Sequence, residues 1–112
     1  MKKYFIFLLL FIVGIIALSE NQIDILNQKI ISNDKKEITI MIKNGIDLNK
    51  RDSNQRLPLE TSLIMENCEI FEYLLKNGAD PYLKNSKGNT IYNQIINSNN
   101  KTLKSILKKY IQ

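Results

Sequence analysis

The sequence predicts an all-α solenoid, in which short helix-turn-helix units stack side by side and polar loops protrude from the stack. The pentapeptide KNGID at positions 43–47 recurs as KNGAD at positions 76–80. Apolar residues recur at the same offset, in columns such as Leu26, Leu59 and Tyr92. A fixed period of this length indicates stacked repeats, each too small to bury its own apolar face.

The period divides most of the chain into three units, the last of them shorter: 24–56, 57–89 and 90–112. Each unit is predicted to contain two helices, at residues 25–32 and 35–44, 58–66 and 68–77, and 91–98 and 101–110. Pro58 suits the first turn of a helix, and Asp24 and Thr90 suit the capping position before one. Gly45 and Gly78 follow second helices, where glycine adopts the left-handed conformation without a Cβ penalty.

The segment 1–19 is predicted to form a secretory signal peptide, ahead of a single repeat domain at residues 20–112. Lys2 and Lys3 precede an unbroken apolar run at residues 4–18, and Ser19 ends the segment with a small residue. As a helix this run is about 22 Å long, whereas the hydrocarbon of a bilayer is roughly 30 Å thick. We therefore expect an exported protein, periplasmic or secreted, with an uncleaved membrane anchor at residues 4–18 as the alternative.

The net charge of +5 at pH 7 is unevenly distributed, since residues 81–112 contain no Asp or Glu. Six lysines lie in that segment: Lys84, Lys87, Lys101, Lys104, Lys108 and Lys109. They suit either a basic patch for an anionic partner or a solvated outer face on the last helix. We favour the solvated face and predict no nucleic-acid partner, because aromatic residues do not alternate with these lysines.

The residue inventory disfavours catalysis and metal binding. The chain contains no His and a single Cys, which excludes a Ser-His-Asp triad, a Cys-His pair and a Cys/His metal site. It also lacks the Gly-rich motif that binds phosphates. We therefore predict a protein that is not an enzyme and has no cofactor or metal. Cys68 has no disulfide partner within the chain, and we interpret it as a buried apolar residue rather than an intermolecular bridge.

The middle unit contains LPLE at positions 57–60 and EIFEYLLKNGAD at positions 69–80. Together these stretches resemble an ankyrin repeat, whose unit typically carries T-P-L-H near its start and a leucine run before Gly-Ala-Asp. The chain departs from the family at the His of that start, where it has Asn27, Glu60 and Asn93. Since that His normally joins neighbouring loops through hydrogen bonds, the resemblance implies that those bonds are made differently here or lost.

The resemblance also implies a concave surface, made of loop tips and the adjoining face of the first helices, that binds partners. By position, the candidate binding residues are Lys50, Arg51, Asp52, Ser53, Asn54, Glu60, Thr61, Lys84, Asn85, Ser86, Lys87, Asn93 and Gln94. We therefore predict a module for protein–protein interaction, with a membrane-tethered structural or inhibitor-like protein as the alternative. Because three units are close to the minimum for a continuous core, we also expect modest stability or weak self-association along an exposed end face.

Overall fold

The structure, a computed structural model, describes residues 4–6, 8–9 and 21–111 of the chain. Residues 4–6 and 8–9 are helical and exposed, and the rest of the expected signal peptide, with its cleavage site, lies outside the described residues. None of the described helices is both long enough and apolar enough to cross a membrane. Export and cleavage therefore stay predictions.

Six helices occur between residues 21 and 111, and we label them α1 to α6. They are α1 (Gln22–Ile31), α2 (Lys35–Lys43), α3 (Pro58–Ile64), α4 (Cys68–Lys76), α5 (Ile91–Ile96) and α6 (Lys101–Tyr110). The same segment contains no strand, only an isolated antiparallel bridge between Lys84 and Thr90. The all-α class is confirmed, and α6 has the expected bounds.

The second helix of every pair begins with the same kind of cap. Asp34, Asn67 and Asn100 are spaced by one repeat period and precede α2, α4 and α6. The side-chain oxygen of each accepts a hydrogen bond from the backbone N–H three residues later, at 3.2, 3.1 and 3.0 Å respectively. Such a cap satisfies one of the N–H groups that a helix start leaves unpaired. The period is therefore a period of local structure and not only of sequence.

The first helices begin in three different ways. Thr90 caps α5 through its hydroxyl, as the sequence predicts, whereas Leu57 before α3 makes no side-chain cap. The prediction that Asp24 caps the first helix of the first unit is wrong. Helix α1 begins earlier and is capped by Asn21, so Asp24 lies within the first turn. There the carboxylate of Asp24 accepts hydrogen bonds from Ser53 instead of from its own helix.

The helix pairs α1–α2, α3–α4 and α5–α6 pack in chain order around one apolar core. Helix α1 packs on α3, and α4 packs on α6. Leu26 and Leu59, which share a column of the repeat, are buried, and Tyr92 in the same column packs half-buried against the core. The other side chains at the centre of the core are Ile30, Ile38, Phe71, Leu74, Ile91, Ile95 and Leu107. Each such burial stabilises the fold by about 1.5–3 kcal/mol, so packing between neighbouring pairs compensates for the shortness of the helices.

Two glycines end the first two helix pairs and begin the loops that follow. Gly45 has a φ of 87° and Gly78 a φ of 100°, which confirms the expected left-handed conformation. No heavy atom lies within 4 Å of a Cβ built at either position. The backbone conformation, and not crowding, is therefore the reason for glycine at both places.

The lone cysteine lies at the first position of α4. Cys68 is half-buried rather than buried, and its side chain packs against the core. It therefore contributes to the core, although less completely than the sequence alone suggests.

Candidate functional site

Two long loops protrude between helix pairs at equivalent positions of consecutive repeats. We call residues 46–57, between α2 and α3, the first finger, and residues 79–90, between α4 and α5, the second finger. Most of the candidate binding residues from the sequence lie on these two loops. The shape of the two fingers therefore determines which of these side chains are accessible.

The tip of the first finger folds around the carboxylate of Asp52. One oxygen, Oδ1, accepts hydrogen bonds from the backbone N–H groups of Asn54 and Arg56, at 2.8 and 2.9 Å. The other, Oδ2, accepts a bond of 2.9 Å from Nδ2 of Asn27 in α1. Asp52 is only 6% exposed. Its side chain thus builds the loop from inside and connects it to the first helix.

The tip of the second finger repeats this arrangement around Asn85. Its Oδ1 accepts hydrogen bonds from the backbone N–H groups of Lys87 and Asn89, at 2.9 and 3.0 Å. Its Nδ2 donates to Oε1 of Gln94 in α5 at 3.1 Å. The loop is therefore the same, but the neutral amide of Asn85 bonds to α5, the helix that follows its finger, whereas Asp52 bonds to α1, the first helix of its own unit.

A serine at the same position of each finger binds a carboxylate on a first helix. The N–H and Oγ of Ser53 donate to Asp24 at 2.9 and 2.7 Å. The N–H of Ser86 donates to Glu60 at 3.1 Å, and its Oγ donates to the same carboxylate. Glu60 corresponds by position to Asn27, so the carboxylate of the first unit lies one helical turn earlier than that of the second. These bonds join each finger to the first helix of its own unit.

The two fingers are also joined to each other. Asn49 in the first finger donates through Nδ2 to the carbonyl of Gly78 at 3.1 Å and accepts from the N–H of Asp80 at 2.7 Å. Arg51 donates through Nη1 to the carbonyl of Lys84 at 2.8 Å. The separation of the fingers is consequently set by hydrogen bonds to backbone atoms at both the base and the middle of the loops.

Four of the candidate binding residues are removed from the surface by these contacts or by packing. Asp52, Glu60, Thr61 and Asn85 are between 1% and 9% exposed. Polar side chains so well covered stabilise the loops and do not offer contact area to a partner. The sequence suggests exposure because it shows their polarity but not the inward direction of their side chains.

The remaining candidates keep most of their surface. Arg51 is half-buried, and the exposed ones are Lys50, Ser53, Asn54, Lys84, Ser86, Lys87, Asn93 and Gln94. Two apolar residues at the end of α3, Ile64 and Met65, fit either the binding face or the core by sequence, and they are 55% and 41% exposed. Sequence reasoning missed Ile31, which is 50% exposed and lies one repeat period before Ile64. That spacing was the available indication that both belong to one face.

Two of the hollows in the described part of the chain lie on different sides of the helix stack. A pocket of about 290 Å³ lies between α1 and the first finger, lined by Asp24, Asn27, Gln28, Ile31, Asp52, Ser53, Asn54 and Arg56. A groove of about 400 Å³ crosses the second helices, where Lys35 pairs with Glu69 at 2.8 Å and Lys109 pairs with Glu72 at 3.2 Å. Hydrogen bonds from Lys109 and Tyr110 hold the pKa of Glu72 below its usual range.

The sequence matches no protein-family model. No curated protein matches it significantly. The function is therefore argued from the geometry of this chain.

The fingers and the adjoining helices present hydrogen-bonding and charged groups. In the described part of the chain, no group of His, Cys, Asp and Glu side chains is placed to bind a metal ion. The carboxylates of Asp24, Asp52 and Glu60 accept hydrogen bonds from N–H and hydroxyl groups of the fingers. The finger tips present amide, hydroxyl and ammonium groups outward, and the carboxylate of Asp47 is exposed near the base of the first finger.

Proposed function

We propose that this chain is a short ankyrin-type repeat module that binds another protein through its two fingers and the adjoining first helices, without catalysing a reaction. The observation that supports it best is the repetition of one hydrogen-bonded finger at the period of the sequence. Both fingers use buried side chains for their shape and leave exposed polar side chains at their tips. Loops fixed in this way on a rigid scaffold are typical of binding proteins.

The charge of the fingers favours an acidic partner surface. Lys50, Lys84 and Lys87 are exposed, whereas the carboxylates of Asp52 and Glu60 are buried and hydrogen-bonded within the protein. The accessible charge of the tips is therefore mainly positive. Complementary charge would speed association with such a partner, and the effect would weaken as salt is added.

Site-specific photocrosslinking in the native host tests the proposal. A benzophenone amino acid replaces Asn54 at the tip of the first finger or Lys87 at the tip of the second. Lys36, an exposed residue of α2 outside the fingers, gives the matched control. We expect one discrete protein adduct from both finger positions and none from Lys36. Adducts that are absent, or that form equally well from all three positions, would contradict binding through the fingers.

The N-terminal segment leaves two forms of this function open. Cleavage after residue 19 gives an exported binding module, and retention of the apolar run at residues 4–18 gives a membrane-tethered structural or inhibitor-like protein. The mass of the intact product purified from the host separates the two forms. A chain beginning near Glu20 supports export, whereas a chain that keeps residues 1–19 supports the tether.

A further inference from the structure

The pocket between α1 and the first finger contains two buried polar atoms that the fold leaves without a partner. They are Oδ1 of Asn27, an acceptor, and Nε of Arg56, a donor, and neither is hydrogen-bonded within the described residues. Both residues line the same pocket of about 290 Å³. Buried polar groups in native proteins are nearly always paired, so two unpaired ones at one place require an explanation.

The orientation of the Asn27 side chain is fixed by its neighbours. Asn27 is 4% exposed, and its Nδ2 donates to Oδ2 of Asp52 at 2.9 Å and to the carbonyl of Arg56 at 3.3 Å. Turning the amide over would place Oδ1 against a carboxylate and a carbonyl, which are also acceptors. The oxygen of Asn27 therefore stays where the chain supplies no donor.

The guanidinium of Arg56 is not held by polar contacts. Its side chain forms no hydrogen bond or ion pair within the described residues, while its backbone N–H and carbonyl bind the first finger and Asn27. Both unpaired atoms are covered by protein atoms. A ligand can therefore reach them only after the guanidinium moves, and that movement would break no hydrogen bond of the loop, which is held by the backbone of Arg56.

The second unit shows that the fold does not require these unpaired atoms. The residue that corresponds to Asn27 is Glu60, whose carboxylate accepts from the N–H and Oγ of Ser86. The residue that corresponds to Arg56 is Asn89, which is exposed. The unpaired donor and acceptor are thus particular to the first unit.

The charges around the pocket favour a neutral ligand. Asp24 and Asp52 oppose an anion there, while a cation is opposed by the guanidinium of Arg56 and finds both carboxylates already bonded to the first finger or to Asn27. A ligand that donates to Asn27 and accepts from Arg56 through one small neutral group has the chemistry of an amide. Ile31 forms part of the pocket wall and is half exposed, so it can contact the carbon atoms next to that amide.

We propose that this pocket binds an amide group of the partner, with the amide N–H donating to Oδ1 of Asn27 and the amide oxygen accepting from Nε of Arg56. The amide is either the carboxamide of an Asn or Gln side chain or a backbone peptide group. The inference rests on the proposed function, since it names the chemical group that the first finger recognises.

Amide fragments test the inference without the partner. The full chain, labelled with ¹⁵N and kept in detergent micelles because of its apolar N-terminal run, is titrated with propionamide and with N-methylacetamide. We expect saturable shifts of the Asn27 side-chain amide and the Arg56 Nε–H signals. Stronger binding of propionamide indicates a side-chain carboxamide, and stronger binding of N-methylacetamide indicates a backbone group. Propionate and propylamine, which carry a charge at neutral pH, are expected to bind more weakly than either amide.

Two variants make the test specific to the site. Arg56→Met removes the Nε donor and keeps the backbone bonds of the first finger, and we expect it to weaken amide binding at least fivefold. Asn89→Met changes the corresponding residue of the second finger and is expected to leave binding unchanged. Amide-proton shifts outside the pocket report whether each variant remains folded.

Several outcomes overturn the inference. They are the absence of saturable shifts up to the solubility limit of the amides, equal binding of the charged fragments, and unchanged affinity in Arg56→Met. Any of these with finger crosslinks still present removes the amide pocket and leaves the proposed function in place. Amide binding without any crosslink removes the proposed function but not the pocket.

Discussion

The two fingers have the same backbone hydrogen bonds but reach the helices through different side chains. In the first, Asp52 bonds back to α1 and Ser53 binds Asp24. In the second, Asn85 bonds forward to α5, while a serine binds Glu60. The common part is the oxygen that accepts two loop N–H groups. The comparison shows that this oxygen determines the shape of the finger, whereas its attachment to the stack tolerates a change of partner, charge and helical turn.

Removal of the central oxygen of a finger should lower the stability of the protein most strongly. Asp52→Ala deletes the acceptor of two partly buried loop N–H groups and of Nδ2 of Asn27. We expect a loss of about 3 kcal/mol in the free energy of unfolding, measured by urea titration of the full chain. Asn85→Ala is the matched change in the second finger and should cost nearly as much. A loss confined to one of the two variants would contradict a common role.

The bond between Glu60 and the second finger should contribute less to the unfolding free energy than the central oxygen of Asn85 does. Glu60→Ala leaves the partly buried N–H and Oγ of Ser86 without their acceptor and removes a buried side chain, which we expect to cost about 2 kcal/mol of unfolding free energy. Glu60→Gln keeps one acceptor oxygen and serves as the control, with about half that loss. If both variants unfold at the wild-type urea concentration, Glu60 does not attach the finger to the helix.

The two fingers differ in backbone strain at one position. Gln55 has a φ of 64°, and the corresponding residue of the second finger is Gly88, with a φ of 88°. A residue with a side chain in this left-handed region is strained by about 1–2 kcal/mol. Glycine removes that strain, but it also increases the conformational entropy of the unfolded chain, which offsets part of the gain in stability. Gln55→Gly should therefore raise the unfolding free energy by about 0.5–1 kcal/mol.

The reverse change in the second finger completes that test. No heavy atom lies within 4 Å of a Cβ built at Gly88. Gly88→Ala should therefore lower the unfolding free energy by about 1 kcal/mol through backbone strain alone. Thermal unfolding followed by circular dichroism can rank the two variants against wild type. Shifts of the same sign in both variants would contradict strain as the difference between the fingers.

Exchange of the central residue type should have the smallest effect. Asn85→Asp keeps the oxygen that accepts from Lys87 and Asn89 but replaces the donor to Gln94 with an acceptor. Because Gln94 is exposed, its amide can turn and donate instead, and we expect a change below about 0.5 kcal/mol. Calorimetry of the two proteins measures the difference. A loss as large as that of Asn85→Ala would show that charge, and not shape, distinguishes the fingers.

The sequence predicts the periodic part of the structure well, because that part depends on local preferences. Gly45 and Gly78 have the expected conformation, and Thr90 caps α5 as expected. The failure at Asp24 has a different cause. Its carboxylate bonds to Ser53, far along the chain on the first finger, and no local preference indicates which distant donor an aspartate will find.

The candidate site is harder to predict from the sequence than the fold. Asp52 and Asn85 have the polarity of surface residues, yet their side chains turn inward to accept loop N–H groups. Their recurrence beside Ser53 and Ser86 was an indication of a structural role, since binding residues need not repeat. The unpaired atoms of Asn27 and Arg56 have no counterpart in the sequence pattern, because they follow from the packing of a loop on a helix.

The bond from Arg51 to the carbonyl of Lys84 has a consequence for affinity. Together with the bonds of Asn49, it fixes the separation of the fingers before any partner arrives. Ordering a mobile side chain on association costs about 0.5–1.5 kcal/mol, and ordering a loop adds further cost. Loops that are already ordered avoid most of this cost. Even a small contact area at the two tips can therefore give a stable complex, provided that the partner presents its own groups at the same spacing.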